Sequence, residues 1–108
     1  MSRGTNKQRD EMTPEQKQRL TSACTRAVAR YGATLQMNQL QEECAEYVVA
    51  LSHMRRGRVG VNEVADEVAD IVIMCEQAGQ IFGGNILESA IERKLAKLEA
   101  RLERDEAR

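Results

Sequence analysis

The run Gln41-Glu42-Glu43-Cys44-Ala45-Glu46, followed after residues 47–66 by Glu67-Val68-Ala69-Asp70, decides how this chain reads. Glu43 and Glu46 stand three residues apart, as do Glu67 and Asp70. Residues i and i+3 share a face of a helix, so each pair sets like charges side by side, a repulsion of roughly a few tenths of a kcal/mol. Something should offset it. Four carboxylates converging from two facing helices make an oxygen-only donor set, and the cations that suit such a set are hard ones, Mg²⁺ or Mn²⁺.

Working outward, the segments that carry the two pairs are helical in pattern. The first runs from about Thr34 to Arg55, with Met37, Leu40, Cys44, Tyr47, Val48, Leu51 and Met54 as its apolar stripe. Glu43 falls at the edge of that stripe, Glu46 just outside it, and Glu42 further out. Arg55-Arg56-Gly57-Arg58-Val59-Gly60 breaks the helix. The next runs from Asn62, read as an N-cap, to Phe82, with Val64, Val68, Ile71, Cys75 and Phe82 as its core arc. On its flank a single column holds Glu63, Glu67 and Asp70 early and Met74 and Ile81 late, so acids occupy places where packing favours apolar groups.

Two more helices complete the pattern. Thr13-Pro14-Glu15-Gln16 is a capping-box start with proline at the first helical position, and Leu20, Cys24, Ala27, Val28 and Tyr31 give that helix one buried stripe, ending at Gly32. After Gly83-Gly84, Asn85 as cap and Glu88 three residues on open a last helix whose Leu87, Ile91, Leu95, Leu98 and Leu102 form a heptad-like seam. Lys94, Lys97 and Arg101 lie on one flank of the seam; Glu88, Glu92, Glu99 and Glu103 lie on the other. Residues 1–12 read as a flexible polar tail, residues 13–104 as one all-α domain of four helices, and residues 105–108 as a frayed end.

The order Glu-Glu-x-x-Glu, a twenty-residue gap, then Glu-x-x-Asp resembles the signature of the MazG-like all-α nucleoside triphosphate pyrophosphohydrolases. Phe82-Gly83 and the run Lys94-Leu95-x-x-Leu98-x-x-Arg101-Leu102 resemble the end of short, stand-alone members, many of them phage or prophage encoded. The resemblance covers about Tyr31 to Leu102. It implies a MazG-like four-helix bundle with helices pooled between the protomers of a homodimer or homotetramer. It also implies a nucleoside triphosphate substrate, Mg²⁺ (or Mn²⁺) as cofactor, and water attack at the α-phosphorus to give a monophosphate and pyrophosphate.

Composition narrows the alternatives. One proline and 31% charged residues in 108 suit a single helical domain, and so small a core favours association. A net charge of −1 gives no broad basic surface for nucleic acid or an anionic membrane. No stretch approaches the roughly 20 apolar residues of a membrane span, and residues 1–12 lack a signal peptide's apolar run, so a cytoplasmic protein is expected. Cys24, Cys44 and Cys75, odd in number and without a Cys-x-x-Cys spacing, read as buried free thiols.

These residues leave a defined chemistry. A di-iron bundle needs Glu-x-x-His pairs, and the one histidine, His53, follows Ala50 by three. No Ser-His or Cys-His arrangement is suggested, so water is the nucleophile. Glu43, Glu46, Glu67 and Asp70 are the candidate metal ligands, and Glu42 or Glu43 the group that orients or deprotonates the water. Lys94, Lys97 and Arg101 are either phosphate-neutralising residues or an ion-pair row beside the seam. Two other functions stay open: an enzyme dedicated to one nucleotide (dUTP, dCTP or phosphoribosyl-ATP), and a non-enzymatic helical module that binds through its seams.

Overall fold

The computed structural model describes residues 9–108, so the part of the expected tail at 1–8 lies outside the described residues. The described chain is all-α, with helices α1 (Pro14–Tyr31), α2 (Ala33–Arg55), α3 (Val61–Phe82) and α4 (Ile86–Glu106). Helix α1 starts as the sequence predicts. The Thr13 amide donates to Gln16 Oε1 at 2.9 Å and the Gln16 amide donates to Thr13 Oγ1 at 3.0 Å, behind Pro14 at the first helical position. Gly32, at φ +90°, then turns the chain straight into α2, a backbone that L side chains rarely adopt.

The other two starts differ from expectation. Asn62 is not the cap of α3, which begins one residue earlier; the Gly60 amide donates to Glu63 Oε1 at 2.8 Å, and that carboxylate ties down the first turn. Asn85 does stand at the cap position of α4, but its side chain makes no capping bond. Its backbone, at φ −120° and ψ 32°, lies away from the extended region from which a cap side chain reaches the free amides. Helix α4 also runs on to Glu106, past the end of its apolar seam and two residues into the stretch expected to fray.

Helices α2 and α3 form the main pair, α1 packs across them, and α4 meets α3 alone. The α4 contact sits at the hairpin, where a Cβ on Gly79 would come within 3.0 Å of Leu87 Cδ2. Beyond it α4 diverges. The radius of gyration is 17.1 Å, against about 13 Å for a compact chain of 100 residues, so the fourth helix does not close a bundle within one chain.

The inner face of helix α2 is shifted toward one edge of its apolar stripe: Gln36 and Glu43 are buried, Met37, Leu40, Tyr47, Leu51 and Met54 of the stripe are half-buried, and Cys44 and Val48 are exposed. On α3 the inner face is Val64, Met74, Gln77 and Ala78, leaving Val68, Cys75 and Phe82 in the open. Of the three thiols expected to be buried, only Cys24 is, its S–H donating to the Ile73 carbonyl at 3.4 Å. Tyr31 is exposed as well.

Where the start of α2 meets the end of α3, Gln36 Nε2 donates to Gln77 Oε1 at 2.6 Å, a buried pair. Removing one partner strands the other. Gln77→Leu should therefore lower stability by about 1–3 kcal/mol, while Gln36→Leu/Gln77→Leu, which strands nothing, should recover part of the loss in urea denaturation.

Candidate metal centre

The carboxylates sit between the two principal helices because α2 presents Glu43 near the middle of its inner face and α3 presents its acidic column to α2. Oxygens of Glu43, Glu46 and Glu67 all lie within 4.8 Å of one another. Glu43 is buried, Glu67 half-buried and Glu46 exposed, so the group reaches solvent through Glu46. Half-buried Asp70 lies outside that group of three, but its charge bears on both Glu43 and Glu67.

Like charges held this close perturb the carboxyls. The Glu43 carboxyl is raised from its ordinary 4.5 to about 7. A hydrogen bond with Glu46 is the largest cause, followed by burial and then by the charges of Asp70, Glu46 and Glu67. Chemically, Glu43 keeps a proton and shares it with the Glu46 carboxylate, which is how two adjacent acids avoid being charged together. Burial, then Glu46, Asp70 and Asp66, raises Glu67 in the same direction. Glu67 Oε2 is buried without a hydrogen-bond partner. Such an atom normally costs free energy, and a cation is a natural partner for it.

Beside the trio a cleft of about 390 Å³ is lined by Ala45, Glu46, Val49, Ala50, His53, Val59, Glu63 and Glu67. Its volume lies at the small end of the ligand-pocket range of about 300–1,000 Å³. The sequence reading set His53 aside and gave Glu63 no role, yet both face this cleft. The signal was in the spacing: His53 is seven residues beyond Glu46 and Glu63 four before Glu67, each on the same helix face as its acid.

Other candidates stand elsewhere. Glu42 is exposed and about 100° around α2 from Glu43, outside the cluster. Lys94, Lys97 and Arg101 line a separate surface of α4 with Leu98 and Arg104, and α4 touches neither α1 nor α2. Within one chain they are not brought to the carboxylates. No described helix is long and apolar enough to cross a membrane. Compared with family models, curated proteins and solved structures, the chain matches none.

The raised carboxyls fix how stability depends on pH. Glu43 binds its proton more tightly folded, at about 7, than unfolded, near 4.5. The stability this contributes is present in full below about pH 4.5 and is lost as pH rises through about 7. With a chelator present, the protein should melt at a lower temperature at pH 8 than at pH 5, and Glu43→Gln should flatten that dependence in a calorimetric scan.

Proposed function

We propose that this protein is a Mg²⁺-dependent nucleoside triphosphate pyrophosphohydrolase that converts a (d)NTP and water into a (d)NMP and pyrophosphate. The observation that carries the reading is the carboxylate trio of Glu43, Glu46 and Glu67, its oxygens within 4.8 Å and one of them, Glu67 Oε2, buried and unpartnered. That donor set fits a hard divalent cation, and the order of its acids is the one that resembles the MazG-like family.

Glu43, Glu46 and Glu67 would hold the cation, with Asp70 alongside supplying further negative charge. A bound Mg²⁺ supplies charge to neutralise the triphosphate oxygens and lowers the pKa of a nearby water. The chain's own residues do the rest. The cleft between α2 and α3 receives the substrate: Val49, Ala50 and Val59 offer apolar surface beside the acids, and His53 stands at the same wall. On binding a cation Glu43 would release to solvent the proton it shares with Glu46, and the positive charge would offset the repulsion among the carboxylates. Glu42 has no part in this reading, and Lys94, Lys97 and Arg101, which lie on α4 away from the trio, would neutralise the phosphates from a partner protomer.

A panel of canonical and modified nucleotides with Mg²⁺ should give pyrophosphate and monophosphate as first products, without a diphosphate intermediate. Asp70→Asn should lose roughly 10- to 100-fold in turnover, the range seen when groups that orient a metal site are removed; Glu103→Gln on α4 should lose nothing. Orthophosphate as the first product would overturn the site of attack. Turnover of a single nucleotide would identify a dedicated enzyme, and the absence of any turnover with Mg²⁺ or Mn²⁺ would leave a helical binding module.

A further inference from the structure

The cleft beside the carboxylate trio has a far end that the metal site leaves unused. Glu46 and Glu67 belong to the trio, while His53 on α2 and Glu63 on α3 line the cleft nearer the turn that joins the two helices. His53 lies seven residues, about 10 Å, beyond Glu46 along its helix, and Glu63 lies four residues, about 6 Å, before Glu67. Building on the pyrophosphohydrolase reading, we propose that this far end holds the nucleobase and that Glu63 selects bases with an exocyclic amino group at pyrimidine position 4 or purine position 6, cytosine and adenine, over their oxo counterparts.

The lining favours a base there over the phosphates. Val49, Ala50 and Val59 offer apolar surface that suits a flat ring and gives a polyanion nothing in return for its lost water. A β- or γ-phosphate at this end would also face the Glu63 carboxylate. The arginines of the turn, Arg55, Arg56 and Arg58, are exposed, and neither they nor any lysine lines the cleft. The spacing agrees: with the α-phosphorus at the trio, the sugar spans the middle of the cleft and the base arrives beside His53 and Glu63.

Selectivity follows from how Glu63 is held. Its Oε1 accepts from the Gly60 amide at 2.8 Å, the bond that ties down the first turn of α3. That leaves Oε2, and a carboxylate oxygen can only accept. An amino group on the base donates to it, whereas a carbonyl at the same position sets oxygen against oxygen. A site built to bond an N–H discriminates strongly against the analogue that lacks it, because its own polar group is then left unpaired. His53 has a different part. Its backbone carbonyl accepts from the amides of Arg56 at 3.2 Å and Arg58 at 2.9 Å, which fixes the residue at the turn. Its ring is the one aromatic face lining the cleft, and stacking on such a face ignores what the base carries at its edge.

Isothermal titration with the α,β-methylene analogues of dCTP, dUTP, dATP and dITP in Mg²⁺ reads the base without turnover. Wild type should bind each amino analogue roughly tenfold tighter than its oxo counterpart. Glu63→Gln keeps the Gly60 bond through its amide oxygen and turns its NH₂ toward the cleft, so the preference should reverse, with wild-type helicity by circular dichroism. His53→Ala should weaken all four by a similar factor and leave the amino-to-oxo ratio unchanged. Equal binding of the two members of each pair to wild type, or a preference that survives Glu63→Gln, would overturn the inference whether or not triphosphates are hydrolysed. Selective binding without any hydrolysis of dCTP or dATP would instead overturn the pyrophosphohydrolase reading and uphold the base rule. Failure of all four analogues to bind would overturn both.

Discussion

The structure turns on like charges held together inside a helix interface. Glu43, Glu46 and Glu67 lie within 4.8 Å of one another with Asp70 close by, and Glu43 stays protonated to about pH 7 as a result. A helix pair that wanted only stability would put leucine or valine at these positions. Here the polar character spreads along the interface: Gln36 lies one heptad before Glu43 on α2, Gln77 one heptad after Asp70 on α3, and these two amides pair with each other. The interior of the α2–α3 face is thus a polar column with Met74 and Ala78 packed beside it.

Placing the acids inward displaces apolar residues outward. With α2 set to bury Glu43, Cys44 and Val48 leave the interface, and on α3 Val68, Cys75 and Phe82 do the same. Helix α4 adds a seam that nothing among the described residues covers. The exposed apolar surface and the acidic cluster around buried Glu43 are therefore two results of one choice of helix face.

How much of this was legible in sequence follows from the kind of signal each feature leaves. The four helices were readable because capping residues and glycines punctuate them: Thr13, Pro14, Gly32, Gly57 and Gly83 mark boundaries by local chemistry alone. The acid pairs were readable because i, i+3 spacing fixes a shared face before any tertiary contact exists. The exact centre of the inward face of α2, which leaves Cys44 and Val48 outside, was not. An apolar stripe measures hydrophobicity, and it cannot distinguish a surface buried within the chain from one left for another surface, so Cys44, Cys75 and Phe82 were assigned to the wrong environment. The divergence of α4 escaped for the same reason, since its seam is as apolar as a core stripe. Asn62 misled because a side-chain cap competes with a glutamate three residues into the turn, and Glu63 prevailed.

The central claim is that the carboxylate cluster is a cation site rather than a tolerated defect of packing. Isothermal titration of the chelator-treated protein with Mn²⁺ tests it directly, without reference to substrate. Wild type should show saturable binding in the micromolar to low millimolar range, with a rise in melting temperature that follows occupancy. Glu67→Gln, which removes the charge of the buried and unpartnered carboxylate, should abolish both. Absence of saturable binding to wild type, or binding that Glu67→Gln leaves unchanged, would contradict the account.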